Sequence, residues 1–387
     1  MSSHQPVEAS EAREIVRDVL ARHVSATDPA RWDREEVLPV AALSELAQRG
    51  LMGLTIPREY GGRGRDIPAA LAVLEELSKT SLALAVPYLM SVCYGGVNIM
   101  ECGTDEQKQR FLPHLAKGTM SFSFAVTEPA AGSDLGATST QATLDGSNVV
   151  VNGMKQFVNG ANVADYIYTL VRSGSPEARY KNLSLLLIPT KAAGISFDKV
   201  DSMGMRGGAA LFNATFENVL VPRENIVGGE AGWNQGWRLL LGPGLDIEKL
   251  EVAAMALGIA EAAVAEAWSY AERREQFGVP ISSFQAIRHS LANSKTDLLA
   301  CRLMLQHAAA LAQERKPCGL ESSMAKLFIC ERAREIVIAA QETVGAYACL
   351  PGNPIERCAR DILLFPIVGG SSSIQRNNIA KQLRLRQ

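Results

Sequence analysis

Hydrophobic and polar residues change their spacing twice along the chain. From Glu11 to about Lys117, apolar residues recur every three or four positions, as in REIVRDVLARHV and PVAALSELAQRGLMGL, which predicts helices. Between roughly 119 and 225 the period is two, as in YIYTLVRSG and ALFNATFENVLVP, with Gly, Asn and Pro at the joints, which predicts strands. From Gly232 onward, long Ala-rich helical patterns return over 245–274, 284–312 and 320–346, with a last one starting near Ser372.

This order predicts an α+β protein with an N-terminal α-helical domain (1–118), a middle β domain (119–230) and a C-terminal four-helix bundle domain (231–387). Strands at hairpin-like intervals favour a small antiparallel β-barrel or sandwich over a parallel sheet. The uncharged run 82–100 is nearly as long as the roughly 20 residues that span a bilayer. Because Pro87, Gly95, Gly96 and Asn98 interrupt it, a buried helix pair is expected rather than a membrane span.

Composition narrows the class of partner. A formal net charge of -2 over 387 residues offers no basic footprint for nucleic acid, so a small ligand is expected. The seven cysteines form no C-x-x-C pair and the five histidines no H-E-x-x-H pattern, which favours free thiols and no catalytic metal. The N-terminal segment carries acidic residues and no apolar core, unlike a secretory signal, so a cytoplasmic location is expected.

The stretch Phe122–Asp134, FSFAVTEPAAGSD, combines a short apolar run with a turn of small residues. The backbone N–H groups of such a turn can approach another molecule closely, although an ordinary strand and turn would look the same. Four further blocks accompany it in order: GTDEQKQRFLPHLAKG, NGMKQFVNGANVAD, RREQFG with FQAIRH, and RDILLFPIVGGSSSIQR.

In this order and at these spacings, the set resembles the acyl-CoA dehydrogenase family over nearly the whole chain. The resemblance implies FAD bound between the β domain and the C-terminal bundle, partly covered by a neighbouring subunit of a homodimer or homotetramer. It also implies an acyl thioester substrate, a role in fatty acid metabolism and an electron-transfer flavoprotein as electron acceptor.

The resemblance assigns cofactor roles to residues in each block. Asn159 stands where the family commonly has a threonine, and its amide still donates hydrogen bonds. Arg274 suits a pyrophosphate because its guanidinium donates two hydrogen bonds at fixed geometry. Around the flavin ring, the resemblance implies contacts from Val126, Thr127, Ser133, Phe157 and Asn159, with Phe157 stacked near the ring and Ser133 also near the substrate. On the pyrophosphate and adenosine, it implies contacts from Arg274, Phe277 and Gln285 across a subunit interface, and on the adenine side from Gln341 and Gly345. Ser371 and Ser373 are implied to lie near the flavin.

Desaturating an acyl thioester requires a base for the α-proton, a hydride acceptor and donors to the carbonyl oxygen. Gly369 stands where many family members have the catalytic glutamate, but it keeps a backbone N–H that can bind the thioester carbonyl. A minority branch takes its base from a segment resembling G-L-D-L-E-R, and GLDIEKL places Glu248 there. The alternative for Glu248 is a first-turn acid that the helix dipole stabilises. Glu251 is the reserve base, and Lys249 replaces an arginine on the thioester side.

The sequence leaves several functions open. The carrier is either coenzyme A or an acyl carrier protein, since both present the same thioester end. A flavin-dependent monooxygenase on the same scaffold would need no base in the acyl pocket, and Glu248 weighs against it. The loss of glutamate at Gly369 also leaves open a non-catalytic flavin-binding protein.

Overall fold

The computed structural model describes residues 8–208 and 210–385. Residues 1–7, where no secretory signal is predicted, lie outside the described residues. The N-terminal region is helical, and a capping box between Thr104 and Gln107 starts its last helix. Its helices are α1 (Ala9–His23), α2 (Asp28–Glu35), α3 (Val40–Gln48), α4 (Ile67–Thr80), α5 (Leu82–Leu89), α6 (Asn98–Cys102) and α7 (Asp105–Ala116).

The apolar run does not form a helix pair. A π-helix at Met90–Val97 joins α5 to α6, so Leu82–Cys102 is one helical stretch in spite of Pro87 and the two glycines. By length and composition alone it could cross a membrane, but 83% of its apolar window is buried inside the protein, as in a core helix. The expectation of burial is therefore confirmed, and the predicted break was wrong because wider π-turns kept the chain helical.

The middle region is a seven-stranded sheet in the order β1-β4-β2-β3-β7-β6, with β5 paired to β4. Most pairs are antiparallel, but β4 runs parallel to β1 and meets β2 in parallel at Gln141 and Arg172. The sheet is thus not antiparallel throughout, since an alternating pattern is the same in either strand direction. Its strands are β1 (Phe122–Ala125), β2 (Gln141–Asp145), β3 (Asn148–Asn159), β4 (Tyr166–Arg172), β5 (Leu183–Pro189), β6 (Ile195–Val200) and β7 (Leu211–Pro222).

The C-terminal region contains the four predicted bundle helices and two shorter helices that the pattern did not show. The four are α9 (Pro243–Arg273), α10 (Gln285–Gln313), α11 (Gly319–Val344) and α13 (Ser372–Gln382); the others are α8 (Gly236–Leu240) and α12 (Pro354–Ile362). A short hairpin of two two-residue strands, β8 (Glu275–Gln276) and β9 (Val279–Pro280), lies between α9 and α10.

Helix α9 is the centre of the molecule. Every residue from 247 to 260 is buried, because α4, α10, α11 and α12 all pack against this helix. Gly258 permits the close approach of α4, since a Cβ there would lie 2.2 Å from the carbonyl oxygen of Glu75. A helix buried all round should be apolar, so the two glutamates within this segment require an explanation.

Candidate active site at the start of helix α9

Glu248 and Glu251 lie three residues apart on α9, a spacing that places them on neighbouring parts of one helix face. Glu248 is 9% exposed, whereas Glu251 is fully buried. Neither carboxylate oxygen of Glu251 has a hydrogen-bond partner among the described residues. The two side chains therefore form a carboxyl pair inside the protein, of which only Glu248 reaches open space.

Burial raises the pKa of Glu248 to about 7, while the nearby charges of Lys249 and Lys326 act in the opposite direction. Burial raises the pKa of Glu251 to about 8, and the charge of Glu248 adds to this increase. The nearby thiol of Cys93 acts in the opposite direction and lowers the pKa of Glu251, but its geometry falls short of a hydrogen bond. Near pH 7 Glu248 thus exchanges readily between acid and base, which suits a general base.

The ammonium group of Lys249 is occupied within its own helix. Its Nζ lies 2.9 Å from Asp246 Oδ1, and Ser322 Oγ of α11 donates to the same oxygen at 3.3 Å. The predicted substrate contact of Lys249 stays a prediction, since any thioester would have to compete with Asp246 for this charge.

The loop 365–371 brings Gly369 against α9. Gly369 has a φ of 62°, and a Cβ built there would lie 3.1 Å from Val252 Cγ2. Val252 is one helical turn beyond Glu248, on the same face of α9. A side chain introduced at position 369 would therefore point toward the same region as the side chain of Glu248, from a different direction. A carboxylate at position 248 can thus take the place of one at position 369.

The predicted small polar residues follow this loop. Ser371 caps α13, because its Oγ accepts a hydrogen bond from the N–H of Ile374 at 3.4 Å. Ser373 is exposed in the first turn of the same helix. Ser371 is thus the last residue of the loop 365–371, and Ser373 lies in the first turn of α13.

A buried ion pair fixes the segment predicted to line the flavin ring. Lys155 Nζ lies 2.7 Å from Glu128 Oε1, with both side chains buried, and it also donates to the carbonyl oxygen of Val126 at 3.3 Å. The N–H of Gln156 donates to the carbonyl oxygen of Thr127 at 2.8 Å. These contacts hold Val126 and Thr127 against strand β3, which carries Phe157 and Asn159.

Phe157 projects outward because β3 is irregular there. The register between β3 and β7 shifts between Lys155 and Val158, and Phe157 has a φ of 61° and is 51% exposed. Ser123 Oγ donates to the carbonyl oxygen of Asn159 at 2.6 Å, which ties β1 to the end of β3. Ser133 is exposed in the neighbouring turn, where Gly132 has no atom within 4 Å of a built Cβ.

These features suit a planar aromatic cofactor such as the flavin of FAD. An exposed aromatic ring offers a stacking surface, and the open turn of small residues lets backbone donors approach it. Thr127, Ser133 and Asn159 supply hydroxyl and amide groups on the same part of the β domain. The residues present therefore fit the ring of FAD.

The other predicted cofactor residues lie at the opposite end of the bundle. Glu248 and Arg274 are separated by roughly 40 Å along the axis of α9 at the usual helical rise. Tyr270 and Tyr347 contact each other with ring centroids 6.2 Å apart, so the ends of α9 and α11 meet there. This end carries Arg274, Phe277, Gln285, Gln341 and Gly345.

This second group is open to solvent. Phe277 is 94% exposed at the tip of the β8–β9 hairpin, and Arg274 and Gln285 are exposed on either side of it. Gln285 also lines a cleft of about 560 Å³ with Trp268, Arg288 and His289. Arg274 lies roughly 40 Å from Glu248 along α9, and its contact with the flavin across a subunit interface stays a prediction.

Sequence reasoning missed four residues that shape the site. Lys326 and Gln375 are buried and bind the Gly369 loop, and Lys155 pairs with Glu128. Tyr94 in the π-helix lies close enough for the charge of Glu248 to raise its pKa further, after burial. The sequence gives only a weak indication of Lys326, because it is a single charged residue within the apolar helical pattern SSMAKLFIC.

Models of one protein family match nearly the whole chain. The N-terminal, middle and C-terminal domain models of acyl-CoA dehydrogenase match residues 6–119, 123–219 and 234–384. The chain is 37% identical to a 3-(aryl)acrylate reductase of Clostridium sporogenes, over 96% of this chain and 97% of that protein.

Two solved structures share the fold over almost their full length. Butyryl-CoA dehydrogenase from Megasphaera elsdenii matches with a TM-score of 0.92 and 28% identity, covering 99% of this chain and 100% of that chain. The prolyl acyl carrier protein oxidase AnaB matches with a TM-score of 0.90 and 28% identity, with coverage of 99% and 100%. The predicted fold class is confirmed: helical domain, middle β domain and C-terminal helical domain. The chain belongs to the acyl-CoA dehydrogenase family, the FAD-dependent oxidoreductases that act on the CH–CH group.

Proposed function

We propose that this protein desaturates an acyl thioester between C2 and C3, with Glu248 as the base that removes the C2 proton. One observation carries the proposal. A carboxyl with a pKa raised by burial to about 7 lies on α9, one turn before the residue that faces Gly369. Glu248 thus replaces the carboxylate that Gly369 lacks.

The reaction divides between the chain and its cofactor. The Glu248 carboxylate takes a proton from C2, and a double bond forms between C2 and C3 as the hydrogen on C3 departs with its electron pair. Bound FAD supplies the acceptor for that hydride. The N–H of Gly369 donates a hydrogen bond to the thioester carbonyl oxygen, which stabilises the negative charge that develops there.

Comparisons support a thioester but leave its carrier open. One structural neighbour acts on butyryl-CoA by its name, and AnaB on an acyl carrier protein. We propose coenzyme A or an acyl carrier protein as the carrier and an electron-transfer flavoprotein as the acceptor. The reductase name of the Clostridium sporogenes relative favours a second candidate, the reverse reaction on an aryl-substituted enoyl thioester.

We also propose a homodimer or homotetramer in the cytoplasm. The oligomer is supported by the exposed group around Arg274, which lies too far from the start of α9 to serve its own subunit's flavin. Each of the seven cysteines is a free thiol, which suits a reducing compartment.

Replacing the base tests the proposed function. Purified flavin-loaded wild type is mixed anaerobically with butyryl-CoA, isovaleryl-CoA, 3-phenylpropionyl-CoA and the matching acyl-carrier-protein thioesters, and bleaching of the flavin is followed. We expect Glu248→Gln to bind flavin normally but to lose roughly 10²- to 10⁴-fold in rate. The wild-type rate should rise with pH through about 7, as Glu248 loses its proton.

Glu266→Gln is the matched control, since it makes the same change on α9 roughly 27 Å along the helix axis. Its rate should equal that of wild type. Flavin bleaching at the wild-type rate in Glu248→Gln would exclude Glu248 as the base and leave Glu251 as the candidate.

Rapid oxidation of reduced protein by air with a hydroxylated product would instead indicate a monooxygenase. Bound flavin that no thioester bleaches would indicate a non-catalytic flavin-binding protein.

A further inference from the structure

Lys326 is a buried lysine on the inner face of α11, and its ammonium group binds only backbone carbonyls. Nζ donates to the carbonyl oxygen of Phe365 at 2.9 Å and to that of Gly370 at 2.8 Å. Side-chain entropy and desolvation make a buried lysine costly, so its position needs a compensating role. Its two hydrogen bonds bridge both ends of the loop 365–371.

Gln375 binds the same loop from α13. Its Nε2 donates to the carbonyl oxygen of Gly369 at 3.2 Å and to that of Gly370 at 2.9 Å, and its side chain is fully buried. Gly370 therefore accepts from both side chains. Glycine is required there, since its φ is 79° and a Cβ would lie 2.7 Å from Gln375 Nε2.

These contacts determine where the amide groups of the loop point. In a trans peptide the C=O and the following N–H point in opposite directions. With the carbonyls of Gly369 and Gly370 turned toward Gln375 and Lys326, the N–H groups of Gly370 and Ser371 point away from these side chains. Among the described residues, no group accepts a hydrogen bond from the N–H of Gly369, Gly370 or Ser371.

We propose that Lys326 and Gln375 are a pair of positioning residues: by binding the carbonyls of Gly369 and Gly370, they fix the turn from which the N–H of Gly369 donates to the thioester carbonyl opposite Glu248. The proposal rests on the proposed function and extends it. It assigns the carbonyl-binding geometry to two side chains whose hydrogen bonds are made to the loop itself.

Lys326 also links the loop to the base through its charge. The titratable groups that face it are Glu248 on α9 and Cys330 and Glu331 on its own helix. Glu248 itself faces Lys249, Lys326, Glu251, Cys93 and Tyr94. Because Lys326 favours the charged carboxylate, its removal should make Glu248 harder to deprotonate, an effect that loop support alone would not produce.

The first experiment measures the loop without using catalysis. Flavin-loaded wild type, Lys326→Met, Lys326→Arg and Gln375→Leu are compared by hydrogen–deuterium exchange of peptides covering 363–376. The reporting amides include that of Ser372, which donates to the carbonyl oxygen of Pro366 at 2.8 Å. We expect faster exchange in Lys326→Met and Gln375→Leu, with partial recovery in Lys326→Arg and unchanged exchange in α9.

The control is Lys316→Met, the same substitution at an exposed lysine between α10 and α11. It should exchange and react as wild type does. Loop exchange in Lys326→Met equal to that of this control would overturn the positioning role, whatever the thioester kinetics show.

The second experiment uses the three CoA thioesters named above. Lys326→Met should lose roughly 10- to 100-fold in kcat with a smaller change in KM, since misplaced donors act mainly on the transition state. The midpoint of its pH–rate curve should move upward, whereas Lys326→Arg, which keeps the charge, should retain the wild-type midpoint.

The two proposals fail in different ways. If the wild type bleaches with none of the three thioesters, the dehydrogenase function and the carbonyl assignment fall together, while the exchange data still decide whether the pair holds the loop. If the wild type reacts and Lys326→Met shows unchanged kcat and pH midpoint, the positioning proposal alone is overturned.

Discussion

At the scale of single residues, the energetics of the site centre on two carboxyls in an apolar helix. A buried carboxyl without a hydrogen bond or counter-ion strongly favours its neutral form. Glu251 meets this description, and its pKa is raised to about 8. It therefore carries a proton at neutral pH, which leaves Glu248 as the member of the pair that ionises first.

A raised carboxyl pKa predicts a specific pH dependence of stability. Between the pKa of an unfolded glutamate, about 4.5, and about 8, folded Glu251 keeps a proton that the unfolded chain has lost, so the free energy of unfolding falls as pH rises. Below about 4.5 both states are protonated and the contribution of Glu251 is fully present. We expect Glu251→Gln to show a flatter decline from pH 5 to 8, with a difference on the order of 1.4 kcal/mol for each pKa unit removed.

Urea unfolding of flavin-loaded protein at several pH values measures this effect. Glu230→Gln is the control, because the side chain of Glu230 is 87% exposed and should leave the decline unchanged. Equal slopes for wild type and Glu251→Gln would mean that the carboxyl has a partner in solution and a normal pKa.

At the scale of elements, the site depends on the meeting of α9 with the 365–371 loop. The loop can lie against Val252 only because residues 369 and 370 both adopt positive φ. Alanine at 370 would combine two costs, namely the left-handed backbone and the contact with Gln375 Nε2 at 2.7 Å.

We predict that Gly370→Ala loses roughly 2–3 kcal/mol of unfolding free energy, of which about 1–2 kcal/mol comes from the backbone conformation. Gly352→Ala is the matched control, since Gly352 has a φ of 96° but no atom within 4 Å of a built Cβ. Urea unfolding should therefore separate the two variants, and bleaching by butyryl-CoA should slow only in Gly370→Ala. Equal losses in both variants would show that Gln375 moves aside without consequence.

At the scale of the whole molecule, periodicity was enough to predict the order of helices and strands, while the role of Glu248, inferred from the family motif, stays a prediction. Both are local signals. The parallel pairing of β4 with β1, the continuous helix Leu82–Cys102 and the burial of Lys326 were not predictable, because each depends on neighbours distant in sequence. The same holds for the approach of Gly369 to Val252, where residues 117 positions apart meet.

The two groups of predicted cofactor residues make a whole-molecule prediction about the oligomer. Phe157 lies on the β domain, whereas Arg274 lies at the far end of α9. If one flavin needs Phe157 of one subunit and Arg274 of another, Phe157→Ala and Arg274→Ala should each lower flavin content on their own. Co-expression of the two variants should then restore about one quarter of the sites, since half of the random pairs are hybrids with one intact site each.

Differently tagged chains allow hybrids to be isolated and their flavin measured by absorbance. Arg273→Ala is the control for Arg274→Ala, because Arg273 Nε donates to the carbonyl oxygen of Ser269 within its own helix. Hybrids with no more flavin than the average of the two parents would mean that Arg274 does not complete a neighbour's site. Recovered flavin would require an interface that brings the exposed Phe277 end of one bundle to the β domain of another subunit.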